Sequence, residues 1–153
     1  MKLVNLAAIG LIAALAIAQA PAQTVRVGTF HKPSIVVAFY RSPLWAETLK
    51  AKMTERAAAK AANDSKKVQE LDAWGNADQE TAHQQLAGEA PITNILEALA
   101  PGFPEIAKKA RVTMIVADSP YADRSVEKVD VTEILLDWLK ADERTRTIVR
   151  GLQ

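Results

Sequence analysis

Two long helical patterns, separated by only three residues, constrain the fold more than any other feature of this sequence. Ser42 followed by Pro43 is a typical helix start, because serine caps the first turn and proline fits the first helical position. Apolar side chains then recur every four residues until Asn63-Asp64-Ser65 interrupts the pattern. Asp64 can cap a second helix, which Gly88 ends.

The two patterns together predict an antiparallel helical hairpin over about residues 43–87. Helices of about 20 residues joined by so short a turn must lie side by side, and each is about 30 Å long. Their apolar faces are narrow and rich in alanine, so we expect the hairpin to bury little surface and to project from the rest of the chain.

The tip of this predicted hairpin is locally basic, because it carries Arg56, Lys60, Lys66 and Lys67. Solvated charge is the simplest interpretation of such a tip, and contact with lipid headgroups is the alternative.

Two tryptophans, Trp45 and Trp74, lie at helical spacing among apolar neighbours within the same segment. They are expected to pack between the helices. In a projecting hairpin they would also be able to line a surface that binds a protein client.

The remaining segments predict short strands and short helices. Thr24–Phe30 alternates β-branched and polar residues, and Arg111–Ala117 is apolar enough to be a buried strand. Periodicity does not decide whether Ser34–Arg41 is a helix or a strand. Asp130 and Glu133 fit a capping box at the start of a late helix. The predicted fold class is therefore α+β, with a small sheet of short strands from the N-terminal and C-terminal segments, a projecting antiparallel helical hairpin and short helices.

The N-terminal segment 1–22 has the layout of a secretory signal peptide. Lys2 precedes an apolar run from Leu3 to Ala18, and small residues follow up to Ala22. We expect cleavage after Ala22 or Ala18; a retained membrane anchor is the alternative, because the run is only slightly shorter than a bilayer span. The prediction is a single periplasmic or secreted domain over residues 23–153.

Composition excludes several functions. Cleavage would remove Lys2 and leave equal numbers of basic and acidic residues, which argues against a nucleic-acid binder. The chain has no cysteine, so thiolate zinc sites and a cysteine nucleophile are excluded. Its six glycines form no phosphate-binding motif. We therefore assign no catalytic residue, metal or cofactor.

His83 is the most distinctive ionisable residue of the sequence. Glu80 and His83 are three positions apart on one helix face, but a di-iron carboxylate site needs a second such pair. A zinc site needs at least three ligands, and His31 is the only other histidine. A hydrogen-bonded or exposed histidine is the simplest interpretation, and ligand contact is the alternative.

A second group of ionisable residues follows the Arg111–Ala117 strand. Asp118 with Tyr121 or Asp123 would be able to perform acid/base chemistry, although such residues more often form a solvated turn. A pocket around His83, Tyr40 and Asp118 is the corresponding hypothesis for a site.

Both ends of the chain resemble the OmpH/Skp family of periplasmic chaperones. The matching segments are TVRVGTF and VTMIVADSPYADRSVEKVDVTEILLDWLK. The corresponding positions are Ile115, Val116, Asp118, Tyr121, Asp130, Val131, Thr132, Leu135 and Leu139. The hairpin is shorter than in that family, and the mature chain is neutral rather than basic. The mature chain as a whole also resembles a group of small exported bacterial proteins that share a Gln-Glu-x-x-His-x-Gln stretch followed by Pro-Ile or Pro-Val.

The resemblance implies a function without enzymatic activity. It implies an ATP-independent, holdase-like chaperone that binds unfolded outer-membrane or secreted proteins and assembles through its strands as a homotrimer. Client contact would then involve Trp45, Trp74, His83 and the basic tip. The alternative is a monomeric periplasmic ligand-binding domain, or a minor enzyme, with a pocket near His83.

Overall fold

The structure is a computed structural model that describes residues 24–117 and 121–152. The predicted signal peptide and Asp118 lie outside these residues. In chain order the elements are β1 (Val25–Thr29), α1 (Lys32–Tyr40), α2 (Pro43–Ala61), α3 (Ser65–Ala87), α4 (Thr93–Leu99), a 3-10 turn (Ala100–Gly102), α5 (Phe103–Ala110), β2 (Met114–Val116), β3 (Val126–Asp130), α6 (Thr132–Trp138) and α7 (Glu143–Arg150). The predicted combination of helices with a small sheet, built from the two ends of the chain, is confirmed.

The sheet has three strands in the order β2-β1-β3, and both pairs are parallel. Gly28 of the central strand pairs with Ile115 of β2 and Val129 of β3. A Cβ atom at Gly28 would lie 3.1 Å from the Ile115 side chain and 3.2 Å from that of Val131. Glycine at this position therefore lets the neighbouring side chains close over the middle of the sheet.

The hydrophobic core lies between the sheet and the helices other than α2 and α3. Its fully buried large side chains are Ile35, Val36, Ile95, Leu99, Ile106, Val131, Leu135, Leu136, Leu139 and Val149. Residues 34–40 belong to α1, where Pro33 occupies the first turn, and Arg41 is the C-cap, so the helix alternative is correct for this segment. Burial of four apolar α1 residues explains why this helix lacks a polar face.

Two local predictions are wrong. The strand predicted at 111–117 has only three residues and is not buried, because it is an edge strand on which Met114 is 53% exposed. The predicted capping box does not form. Asp130 instead accepts a hydrogen bond from the backbone N–H of Thr132 at 2.8 Å, and Glu133 accepts one from Arg146 of α7 at 2.8 Å.

The ends of α2 and α3 follow the predicted capping chemistry. Ser42 Oγ accepts a hydrogen bond from the backbone N–H of Trp45 at 3.3 Å, and Asp64 accepts one from that of Lys67 at 3.0 Å. Gly88 takes the left-handed conformation with φ 79°, which ends α3. Among the described residues, no helix combines the length and the apolar character that crossing a membrane requires.

Candidate functional site: the surface of α2 and α3

α2 and α3 contact one another through ion pairs and stacked rings. Near the turn, Lys67 Nζ lies 2.9 Å from a carboxylate oxygen of Glu55. Further along, Arg56 donates two hydrogen bonds to the Asp72 carboxylate. These contacts pair the end of α2 with the start of α3. The two helices therefore lie against each other in this region.

Trp45 and Trp74 belong to a chain of aromatic rings that runs from the core to this surface. The Trp45 ring centroid lies 5.8 Å from that of Phe39 and 5.2 Å from that of Tyr40. Trp45 stacks on Trp74, and Lys52 Nζ lies 5.6 Å from the Trp74 ring centroid. Both tryptophans are half-buried, so they pack between the helices as expected and also reach the surface.

α2 exposes large apolar side chains along its length. Leu44 is 39% exposed, Leu49 is 42% exposed and Met53 is 63% exposed. Ala59 is the one buried residue of this helix. An uncovered series of apolar side chains on one helix is a common feature of protein-binding surfaces.

A groove between α2 and α3, which we call the Trp74 groove, lies beside these side chains. Its volume is about 420 Å³. The lining residues are Leu49, Lys52, Met53, Arg56, Leu71, Asp72, Trp74, Gly75 and Asn76. The groove therefore combines apolar walls with two cationic side chains.

The predicted basic tip is partly neutralised by neighbouring carboxylates. The hydrogen bond from Arg56 lowers the pKa of Asp72, and hydrogen bonds from Lys67 and Lys52 lower the pKa of Glu55. Lys60 and Lys66 are exposed and form no ion pair with another described residue. The unpaired positive charge at the tip is thus carried by Lys60 and Lys66.

His83 lies on the solvent-exposed face of α3 and forms no hydrogen bond or ion pair with another described residue. Its predicted neighbour Glu80 accepts a hydrogen bond from Gln84 at 2.8 Å instead. The structure therefore does not bring His83 together with Tyr40. Within the described part of the chain, no three histidine or carboxylate side chains are close enough to hold a metal ion.

A polar network around the buried Gln85, two residues after His83, was missed by sequence reasoning. Tyr40 donates a hydrogen bond to Gln85 at 3.1 Å, and Gln85 donates one to Asn94 at 2.6 Å. Gln85 is only 3% exposed, so these bonds satisfy a side chain that would otherwise be costly to bury. Because the partners come from α1, α3 and α4, no local sequence pattern indicates the network.

A second groove lies at the carboxyl edge of the sheet, where parallel strands commonly position ligands. Its volume is about 400 Å³. The lining residues are Lys32, Pro33, Gln85, Leu86, Ala87, Gly88, Ala90, Pro91, Ile92, Thr93, Leu96 and Ala117. Nearby, Nδ1 of His31 lies 2.7 Å from Oγ of the fully buried Ser34.

The loop that leads into β3 has the geometry of a turn. Asp123 accepts hydrogen bonds from the backbone N–H and the hydroxyl of Ser125 at 2.9 and 2.7 Å, and these bonds lower its pKa. Tyr121 is 80% exposed. This arrangement fits the turn interpretation of the segment better than an acid/base site.

Comparison with known proteins adds no further assignment. No family model matches the chain, and no significant match exists among curated proteins or solved structures.

Proposed function

We propose that this chain is an exported, ATP-independent, holdase-like chaperone that binds unfolded polypeptides on the surface of α2 and α3. The observation that carries the proposal is the exposure of Leu44, Leu49 and Met53 along α2. Covering exposed apolar side chains with another apolar surface removes them from water and lowers the free energy. An unfolded protein offers such a surface, because it exposes the residues that its folded form buries.

We further infer that α2 and α3 form the projecting antiparallel hairpin. The ring stack joins Trp45, near the start of α2, to Trp74. Glu55 and Arg56, which lie later in α2, contact Lys67 and Asp72, which lie earlier in α3 than Trp74. This order supports the antiparallel shape. Few residues of the two helices are buried, namely Ala59, Leu71 and Gln85. A helical arm of this kind can lie along an extended client.

The resemblance to the OmpH/Skp family supports the same proposal. By that resemblance, the clients are unfolded outer-membrane or secreted proteins, and the chain assembles as a homotrimer through its strands. The outer edges of β2 and β3 pair with no other described strand. Such edges are available for pairing between chains.

Aggregation of a urea-unfolded porin after dilution, followed by light scattering, tests the proposal. We expect the chain to suppress aggregation and the double variant Leu49→Ser, Met53→Ser to lose this ability. The matched control is Ile148→Ser, Leu152→Ser, which removes apolar side chains that are 38% and 40% exposed on another part of the molecule. Aggregation that proceeds unchanged in the presence of the wild-type chain would refute the proposal.

Export and assembly have separate tests. N-terminal sequencing of the protein recovered from cells should give Gln23 or Gln19 as the first residue, whereas retention of Met1 would favour a membrane anchor. Light scattering behind a sizing column gives the absolute mass, and a trimer is expected. A monomer would contradict assembly through the strands.

A monomeric ligand-binding domain, or a minor enzyme, is the second candidate function. The groove at the carboxyl edge of the sheet favours it, because this groove lies near His83 in the chain and has mainly apolar walls. A screen of small metabolites by thermal shift, repeated with Leu86→Arg and His83→Ala, tests this candidate. Loss of a ligand-induced shift in Leu86→Arg would locate the site, and an unchanged shift in His83→Ala would exclude His83 from it.

A further inference from the structure

We propose that Gly75 forms a notch in the Trp74 groove that admits a large apolar side chain from an acidic, unfolded polypeptide segment. This inference rests on the proposed chaperone function and specifies where the client binds and which chemistry is preferred. The starting observation is Gly75, a position where neither the backbone conformation nor the packing of the chain requires glycine.

Gly75 lies in the interior of α3, where glycine is less favourable than alanine because its backbone loses more freedom on folding. Its φ angle is not positive, so the backbone conformation does not demand glycine. A Cβ atom built on Gly75 would meet no other atom within 4 Å, so packing does not demand glycine either. The missing side chain leaves room in the groove.

The walls around this room suit an apolar side chain. Leu49, Met53 and Leu71 line the same groove as Gly75. Met53 is 63% exposed and flexible, which allows it to adapt to side chains of different shape. Trp74 is held by its stack on Trp45, and it therefore gives the notch a fixed wall.

The charge around the groove favours an acidic segment. Residues 50–72 carry six lysines and arginines against four aspartates and glutamates. Lys60 and Lys66 form no ion pair with another described residue, so they are able to attract carboxylates of a client. An acidic chain that presents leucine or phenylalanine side chains therefore matches both features of the groove.

The test measures binding of fluorescently labelled, reduced and carboxymethylated α-lactalbumin, a permanently unfolded acidic chain, by anisotropy. The variants are Gly75→Ala, Gly75→Leu and the control Ala77→Leu, which lies exposed on the same helix and does not line the groove. Circular dichroism and thermal unfolding of each variant report on its fold.

We expect opposite effects on stability and binding at Gly75. Gly75→Ala should raise the melting temperature, because alanine favours the helix, and should still weaken binding about threefold. Gly75→Leu fills the notch and should weaken binding about tenfold or more, the loss expected when one apolar side chain is no longer buried. Ala77→Leu should bind like the wild type.

The remaining outcomes separate this inference from the proposed function. If the wild type binds the unfolded probe and both Gly75 variants bind equally well, the notch is refuted and the chaperone proposal stands. An equal loss in Ala77→Leu would also refute the notch, because the effect would not be confined to the groove. If the wild type does not bind the probe, the notch is refuted, and the chaperone proposal is then decided by the porin aggregation test alone.

Discussion

The indole of Trp45 stacks on the indole of Trp74, with ring centroids 6.1 Å apart and an angle of 27° between the ring planes. The contact joins α2 to α3 at the end of the helix pair that is nearer the core. Trp45 also touches the rings of Phe39 and Tyr40 in α1. The orientation of α2 and α3 relative to the core therefore depends on this pair of side chains.

The stack should give a measurable coupling energy. Trp45→Leu and Trp74→Leu are each expected to lower the free energy of unfolding. The loss in the double variant should be smaller than the sum of the two single losses by about 0.5–1.5 kcal/mol, which is the contribution of an aromatic pair beyond its buried area. Urea denaturation of the four proteins measures the cycle. Strict additivity would show that the rings do not interact in solution.

Gly102→Ala should destabilise the protein by about 1–3 kcal/mol, because overpacking forces neighbouring atoms to move. An added Cβ atom at Gly102 would overlap the indole of Trp138. Gly151→Ala is the control, since its Cβ atom would approach backbone oxygens no closer than 3.4 Å. In a Trp138→Leu background, Gly102→Ala should lower the stability by less, because the overlapping indole is absent. Thermal denaturation of the three single variants and the double variant measures this difference, and an equal loss in both backgrounds would contradict the prediction.

Asp78→Asn should stabilise the protein at pH 7. Burial raises the pKa of the Asp78 carboxyl above 3.8, so the folded state holds its proton more tightly than the unfolded state. Stability from this group is therefore complete below the unfolded pKa and is lost as pH rises through the folded pKa. Melting temperatures across acid and neutral pH should show a benefit of asparagine at neutral pH that vanishes in acid.

Asp123→Asn is the matched control with the opposite sign. Hydrogen bonds from Ser125 lower the pKa of Asp123, so its ionised form stabilises the fold above the unfolded pKa, and this stability is lost as pH falls through the folded pKa. The substitution should lower the melting temperature slightly at neutral pH. A stabilising effect of Asp123→Asn at neutral pH would contradict a stabilising role for the ionised Asp123 carboxylate.

Charge reversal at the tip should weaken client binding. The double variant Lys60→Glu, Lys66→Glu is expected to bind reduced, carboxymethylated α-lactalbumin several-fold less tightly than the wild type at low salt, because like charges repel. The difference should shrink as added salt shortens the screening length. Anisotropy titrations at several salt concentrations measure both effects.

The control for this prediction carries the same change in net charge elsewhere. Lys108→Glu, Arg144→Glu places two negative charges on exposed positions of α5 and α7. Binding equal to that of the wild type is expected. An equal loss in both double variants would mean that net charge, rather than the tip, governs the interaction.

Local chemistry explains which parts of the fold were predictable from sequence. Ser42 and Asp64 cap their helices through hydrogen bonds three residues away, and Gly88 ends α3 by its own backbone conformation. Such contacts need no distant partner, and the bounds of α2 and α3 follow from them. The alternation in segment 24–30 likewise indicated β1.

The candidate site was predictable only in part. Trp45, Trp74 and the basic residues were recognised from spacing and composition, but the exposure of Leu49 and Met53 was not, because an apolar side chain on a helix is usually buried. His83 was singled out for its chemistry, and the structure leaves it exposed. No sequence pattern indicated Gly75, because the open space beside it is visible only in the tertiary structure.

The sequence by itself determined where α2 and α3 begin and end and which segment forms the first strand, because caps, turns and periodicity act over a few residues. Only the tertiary structure decided that β1 is the central strand, that both its neighbours are parallel to it and that Gly102 lies against Trp138. The Tyr40–Gln85–Asn94 network belongs to the same group. These relationships join residues far apart in the chain, and they form when packing of the whole core selects one arrangement among many with the same local structure.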